Sequence, residues 1–473
     1  MNGNLYEYLT AGLSDRSRPC FLKEDGDTIS YGRLLDDVNR VARHLQACSV
    51  GVGDRVVVQA SKSVEMVALY LATLQIGAVF VPLNSAYTAS EIEYFLEDAE
   101  QKLFVQDPVQ LARDAASHEP LRDWEPRSGD DIAAIVYTSG TTGRSKGAML
   151  SHANLAANAR ALCDAWGFTE RDVLLHALPI FHVHGLFVAL HCSLLSGCAT
   201  IWLERFDEQR VIEALPRTTV MMGVPTFYTR LLANPGFTRD IAEPVRLFIS
   251  GSAPLLETAF HEFEARTGKS ILERYGMSEA AIITTNPLNG ARVAGSVGYP
   301  LPGVELRIGG GGEIGGIEIR GPSVFKGYWR NPDKTAEDFT EDGFFKTGDL
   351  GRMEADGRVW ITGRAKDLVI SGGYNVYPKE VELALDDLPG IAESAVIGVP
   401  HPDFGEAVVA VVVGEGEERS IIEQAQNRLA SFKTPKRIFF VPELPRNALG
   451  KVQKNILRDQ YRDTFSIALN VPL

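Results

Sequence analysis

The sequence predicts an α/β protein with a large body and a smaller tail domain. Three observations carry this. A chain of 473 residues is too long for one hydrophobic core. Residues 31–105 alternate helical periodicity with short apolar runs, Arg55-Val-Val-Val-Gln59, Ala78-Val-Phe-Val-Pro82 and Lys102-Leu-Phe-Val105. That alternation builds parallel sheet with helices on its faces. From Val304 onward the pattern changes to paired strands and tight turns.

In chain order, the alternation continues through Ala199–Leu203, Thr219–Met222 and Leu247–Ser250. Glu305–Ile308 and Gly316–Arg320 flank a glycine-rich turn and read as a hairpin. A second pair, Gly351–Glu354 and Arg358–Thr362, flanks Asp356-Gly357. Strands near 394–399 and 407–413, a helix near 421–430 and a basic end complete the tail. The domain boundary is expected at about Lys366, dividing the chain into 1–365 and 366–473.

Composition excludes several classes. Apolar content of 45% and charged content of 23% suit a soluble globular protein. A net charge of −14 argues against nucleic acid as a partner, since that needs a basic footprint. Cys20, Cys48, Cys163, Cys192 and Cys198 are odd in number and form no CxxC, which favours a reducing, cytoplasmic setting. The N-terminus shows no basic region before an apolar core, and no apolar run is long enough to span a bilayer, so no membrane partner is expected.

The segment Tyr137-Thr-Ser-Gly-Thr-Thr-Gly-Arg-Ser-Lys-Gly147 carries the strongest chemistry. Ile132 to Val136 reads as a buried strand, and a helix start is expected at Ser151-His-Ala-Asn154. Glycines let successive N–H groups point into one concavity, hydroxyls add donors and Lys146 adds charge, so the loop suits a polyphosphate. It is not a P-loop, because Lys146 follows Gly143 by three residues and precedes Gly147.

Further segments follow in a fixed order: Pro179-Ile-Phe-His182, Ser250-Gly-Ser-Ala-Pro254, Glu273-Arg-Tyr-Gly-Met-Ser-Glu279, Lys346-Thr-Gly-Asp349, Gly363-Arg-Ala-Lys-Asp367 with Ser371-Gly-Gly373, and Pro445-Arg-Asn-Ala-Leu-Gly-Lys451. With Tyr137–Gly147 they resemble the adenylate-forming superfamily of acyl-CoA synthetases, firefly luciferases and peptide-synthetase adenylation domains, over almost the whole chain. Within it the chain looks most like malonyl-CoA synthetases, through His182-Val-His-Gly-Leu-Phe187, Gly223-Val-Pro-Thr-Phe-Tyr228 and Arg292-Val-Ala-Gly-Ser-Val-Gly298. The resemblance implies a multi-layer N-terminal domain of sheets flanked by helices, a β-barrel-like subdomain, and a small mobile α+β C-terminal domain.

It also implies roles. ATP, Mg²⁺ and coenzyme A would be the cofactors and a small carboxylic acid the partner. Thr138, Ser139, Gly140, Thr141, Thr142, Gly143 and Lys146 would cradle the phosphates. Glu279 with Thr138 would hold Mg²⁺, a cation that favours a few protein oxygens plus phosphate. The family usually has threonine where Ser278 stands, and the hydroxyl is kept. Tyr275 and the backbone of Gly251, Ser252 and Ala253 would sandwich the adenine, and Glu273, Arg274, Gly276, Met277 and Ser278 would belong to the same nucleotide site. Asp349 and Arg364 would meet the ribose or a phosphate, Lys366 would be the hinge, and Gly372 and Gly373 would wall the thiol's path. Lys451 would act in adenylate formation, where a mobile point charge suits the growing negative charge.

For the acid, a second carboxylate buried unpaired would cost several kcal/mol, so a malonate pocket needs a cation, best a guanidinium. Arg292 is the expected cation, with His184 as a further donor, Val183 and Ile282 as size-setting neighbours and His182 lining or gating the pocket. His182-x-His184 as a metal pair lacks a third ligand at helical spacing. Arg246 is expected to be structural. Three readings follow: a malonate or methylmalonate–CoA ligase, a ligase for a short, medium or aryl monocarboxylate, and a nucleotide-binding protein without turnover. Retention of Glu279 and Lys451 argues against the third.

Overall fold

A computed structural model describes residues 3–138, 145–372, 374–447 and 450–465. The chain gathers into two compact units, Met1–Leu306 with Ile319–Phe345, and Arg307–Glu318 with Lys346–Leu473. Compactness thus groups residues 346–365 with the smaller unit, ahead of the boundary expected at Lys366.

In the larger unit the strands Val173–His176, Val220–Gly223 and Leu247–Ser250 lie parallel, with Ala199–Trp202 beyond the first and the start of Leu272–Met277 beyond the last. The register pairs Met222 with His176, Gly223 with Ser250, and Ser250 with Glu273. Their carboxyl ends therefore lie side by side, and in open α/β sheets ligands bind in the crevice outside those ends. The strand Leu272–Met277 then turns back antiparallel onto Ala281–Thr285. A second, five-stranded sheet is built on Arg55–Val58, Val79–Pro82, Leu103–Val105, Ile132–Thr138 and Lys146–Ser151.

The helices form where the sequence supplies caps and apolar faces. In Tyr31–Ala47 the Ser30 side chain accepts from the Arg33 N–H, and Leu34, Val38, Val41, Ala42 and Leu45 make one buried stripe. Val64–Gln75 is buried on nearly every face, as its unbroken apolar run requires. His152–Trp166 starts on a capping box of Ser151 and Asn154 and stops at Gly167, whose φ is 59°. The core beneath the main sheet includes Tyr228, Phe248 and Phe263, with Phe248 and Phe263 edge to face at 4.9 Å.

One strand is added to the expected elements, and the helix start at Ser151 stands. The loop after Thr138 leads first into the strand Lys146–Ser151, antiparallel to Ile132–Thr138, before the helix begins. The two strands thus form a hairpin, and the strand-to-helix step of a P-loop does not occur here.

In the smaller unit, Ile391–His401 pairs antiparallel with Gly405–Gly414, flanked by Arg437–Val441 and the short strands Val369–Ser371 and Tyr374–Val376. Helix Pro378–Asp386 and its neighbours cover one face through Val381, Leu385, Ile421 and Ala425. The hairpin of Phe345–Met353 with Val359–Arg364 also belongs here from Lys346 onward. No helix among the described residues is long and apolar enough to cross a membrane.

Candidate active site

Ser139, Gly140, Thr141, Thr142, Gly143 and Gly373 lie outside the described residues. The two strand ends that flank residues 139–143 are each held by a tyrosine. Tyr137 donates to Asp98 at 2.6 Å and Tyr94 donates to the Ser145 carbonyl at 2.8 Å, fixing both strands where the loop leaves them. The Lys146 ammonium lies 4.5 Å from the centre of the Tyr328 ring, and partial burial lowers its pKa.

Glu279 sits at the tip of the turn joining Met277 to Ala281. Gly276 is obligatory there, because a Cβ would stand 2.0 Å from the Ala281 carbonyl oxygen. The turn delivers Glu279 Oε1 to 3.3 Å from both Thr138 Oγ1 and the Tyr328 hydroxyl. The two oxygens expected to hold magnesium thus converge. Among the described residues no cluster of three or more His, Cys, Asp or Glu side chains suits a metal ion. One carboxylate, one hydroxyl and phosphate oxygens form the donor set that magnesium accepts.

The crevice at the carboxyl ends of the parallel strands holds the unusual chemistry. Arg274 is buried, and its Nε and Nη2 have no hydrogen-bond partner among the described residues. Burial pulls its pKa down to about 9. Gly251 lies directly against the guanidinium, and next to it Ser252 adopts a φ of 71°, with its hydroxyl 3.3 Å from His184 Nδ1. Such backbone strain in a non-glycine residue clusters at binding sites. His184 Nε2 is buried without a partner among the described residues, as is the Ser250 hydroxyl. Burial first, then the charge of Arg274, holds the His184 pKa well below its ordinary value, so it presents a neutral ring.

His184 opens a π-helical turn, His184–Ala189, of the kind that recurs at functional sites. Its backbone N–H donates to His182 Nδ1 at 3.2 Å, which engages that nitrogen, and no third ligand joins the pair among the described residues. Val183 and Ile282 are buried, and Tyr275 is half-buried. Glu273 Oε1 accepts from the Gly295 N–H at 3.2 Å, a structural use.

Arg292 is placed differently from the expectation. Its guanidinium donates to the carbonyls of Pro287, Leu288 and Ser270, and Ser270 precedes the strand Leu272–Met277. Because Ala281–Thr285 runs back along that strand, the segment after it returns to the amino ends, opposite the crevice. Nearness in sequence to the magnesium motif does not survive this reversal. Arg246 is structural as expected, pairing with Asp172 at 2.7 Å and donating to the Trp166 and Gly167 carbonyls.

In the smaller unit, Asp349 is buried and pairs with Arg364 at 2.7 Å, two facing residues of one hairpin. Lys366 is exposed on a short 3₁₀ turn, Ala365–Asp367. Gly372 has a φ of 60° and donates to the Phe404 carbonyl at 2.8 Å, a turn position that favours glycine. The Lys451 N–H donates to Asn447 Oδ1 at 3.0 Å and its carbonyl accepts from the Asn447 N–H at 2.9 Å, which frames the loop that carries it.

Residues 13–329 match the AMP-binding enzyme family, and residues 380–451 match the AMP-binding enzyme C-terminal domain. This chain is an AMP-binding enzyme. It is similar to a malonate–CoA ligase of Arabidopsis thaliana, at 34% identity over 97% of this chain and 89% of the relative. A feruloyl-CoA synthase of Amycolatopsis sp is 34% identical over 93% of this chain and 95% of its own. Among solved structures, ATP-bound MatB from Rhodopseudomonas palustris is 49% identical, with a TM-score of 0.95 over 98% of this chain and 100% of that one.

Proposed function

We propose that this enzyme is an ATP-dependent ligase that joins malonate, or methylmalonate, to coenzyme A. One carboxylate of the acid attacks the α-phosphorus of ATP, pyrophosphate leaves and malonyl-AMP forms. The thiol of coenzyme A then attacks the acyl carbon and AMP leaves. Both partners of the first step are anionic, so the site must neutralise charge before it orients atoms. Magnesium supplies part of that neutralisation when bound, and Glu279 and Thr138 are the residues that would hold it. Lys146 would face the phosphates from the loop. Lys451 would meet the reacting carboxylate and α-phosphate, and Asp349 and Arg364 the ribose. Tyr275 and Gly251–Ala253 would enclose the adenine, with Met277 and Ser278 beside it. The adenylating and thiol-accepting poses need different groups at one place, so the part of the chain beyond Lys366 would swing between them, with Gly372 and Gly373 beside the thiol's path.

The observation that carries the dicarboxylate reading is the buried Arg274 guanidinium, two of whose nitrogens have no partner among the described residues. A desolvated, uncompensated cation is costly, and a second carboxylate would supply the missing charge and acceptors. His184 would donate to the same carboxylate, Val183 and Ile282 would limit its size, and His182 would line the approach. The role first assigned to Arg292 passes to Arg274.

The likeness to a feruloyl-CoA synthase favours a second reading, a monocarboxylate ligase. An aryl or alkyl acid would leave Arg274 buried without a counter-charge. A panel of malonate, methylmalonate, succinate, butyrate and ferulate, assayed by pyrophosphate release and acyl-CoA formation, separates the two. Preference for malonate or methylmalonate supports the proposal, and preference for ferulate or butyrate overturns it.

A further inference from the structure

A buried lysine stands behind the acid pocket. Lys62 follows the strand Arg55–Val58 of one sheet, and its ammonium reaches the carboxyl ends of the other. It donates to His176 Nδ1 at 2.9 Å, to the His176 carbonyl at 2.8 Å and to the Leu203 carbonyl at 2.6 Å. It also lies 4.1 Å from the centre of the Trp202 ring. Three donors meet three acceptors, so the group is fully used.

This arrangement fixes the histidine. The Gly185 carbonyl, 3.0 Å from His176 Nε2, can only accept, so the ring proton sits on Nε2 and is donated to it. Burial holds the His176 pKa well below its ordinary value, so the ring is neutral and Nδ1 is left to accept from Lys62. The Gly185 carbonyl also accepts from the Leu190 N–H at the end of the π-helical turn. Gly185 packs closely against the preceding turn and has no room for a side chain, since a Cβ there would stand 2.1 Å from the Pro179 carbonyl oxygen. The residue before it is His184, whose Nε2 lies buried near Arg274 without a partner among the described residues.

We infer that Lys62 and His176 are positioning residues: through the Gly185 carbonyl they seat the π-helical turn that aims His184 into the acid pocket, and so set its preference for a second carboxylate. The inference rests on the dicarboxylate reading. A hydrogen-bonded relay that ends one residue from a pocket group acts on orientation, and small misplacements there are felt strongly.

The test compares Lys62→Met, His176→Asn and His176→Gln with wild type, measuring kcat and KM for malonate, butyrate and ATP, and Tm. Glutamine reaches the position of Nε2 and keeps a donor toward Gly185; asparagine does not reach. Lys62→Met and His176→Asn should raise the KM for malonate by about tenfold or more, with the butyrate and ATP constants within about twofold, and His176→Gln should recover most of the loss. If malonate and butyrate constants fall in parallel, if Asn and Gln behave alike, or if the KM for malonate does not move, the positioning role is wrong. The two histidine variants decide the matter if Lys62→Met does not fold. A wild type without preference for malonate over butyrate would overturn the underlying reading; a wild type with that preference and unaffected variants would overturn the inference alone.

Discussion

Gly251 leaves no room for a side chain beside Arg274: a Cβ on its backbone would stand 2.4 Å from both the guanidinium carbon and Nε. The backbone at the end of one strand thus presses the cation of the next into place. Gly251→Ala should displace the guanidinium, because the arginine's far end can yield where backbone cannot. The expected result is a fall in kcat/KM for malonate of about a hundredfold, the scale of a misplacement near 1 Å, with the fold intact by Tm. Unchanged malonate kinetics would show that the guanidinium's position does not matter.

Glu279 should govern the magnesium dependence of nucleotide binding. ATP affinity measured by calorimetry should rise when magnesium is added to wild type, and Glu279→Gln should lose most of that rise while still binding ATP through the loop. An equal magnesium effect in both proteins would place the cation elsewhere.

Lys451→Ala should abolish adenylate formation while thioester formation from supplied malonyl-AMP continues, because the two half-reactions would use different poses. Single-turnover assays of each half-reaction provide the measurement. Equal loss of both would contradict a role confined to the first.

His152 should make the larger unit acid-sensitive. Its Nδ1 accepts from the Leu5 N–H at 3.0 Å, and burial lowers its pKa to about 4. The unfolded chain takes up this proton near the ordinary histidine value and the folded chain does not. The stability is therefore complete above about pH 6.5 and is lost as pH falls toward 4, at up to about 1.4 kcal/mol per pH unit. His191, held down to about 3 by burial, acts in the same direction. Asp386 in the smaller unit, raised to about 6 by burial, acts in the opposite one, so the informative comparison is between variants. His152→Asn keeps an acceptor near Nδ1 without the titration, and denaturation at pH 7 and pH 5 should show a smaller loss than in wild type. Identical losses would remove His152 from the account.

The strands at Arg55, Ala199 and Leu247 and the capped helix after Ser151 were legible because apolar runs and caps are local signals. So were the meeting of Thr138 with Glu279 and the structural use of Arg246. The acid pocket was not legible, because it depends on chain direction. The reversal at Ser278–Ala280 carries Arg292 to the amino ends of the strands. Arg274 stays at the carboxyl ends, within a segment whose resemblance implies nucleotide binding. One signal was available: neighbours in a strand face opposite sides, so Glu273 could not neutralise Arg274. The Lys62–His176–Gly185 relay joins distant segments and leaves no spacing to recognise.

The central claim is that Arg274 receives the second carboxylate, and the direct measurement is the ratio of kcat/KM for malonate to that for butyrate in wild type, Arg274→Ala and Arg292→Ala. Losing one partner of a desolvated charge pair costs about 2–5 kcal/mol, or roughly 30- to several-thousand-fold. Arg274→Ala should lower the ratio by that factor, through malonate, with butyrate equal or improved. Arg292→Ala should leave the ratio near that of wild type and lower Tm instead. A ratio unchanged in Arg274→Ala, or one that collapses only in Arg292→Ala, would contradict the account.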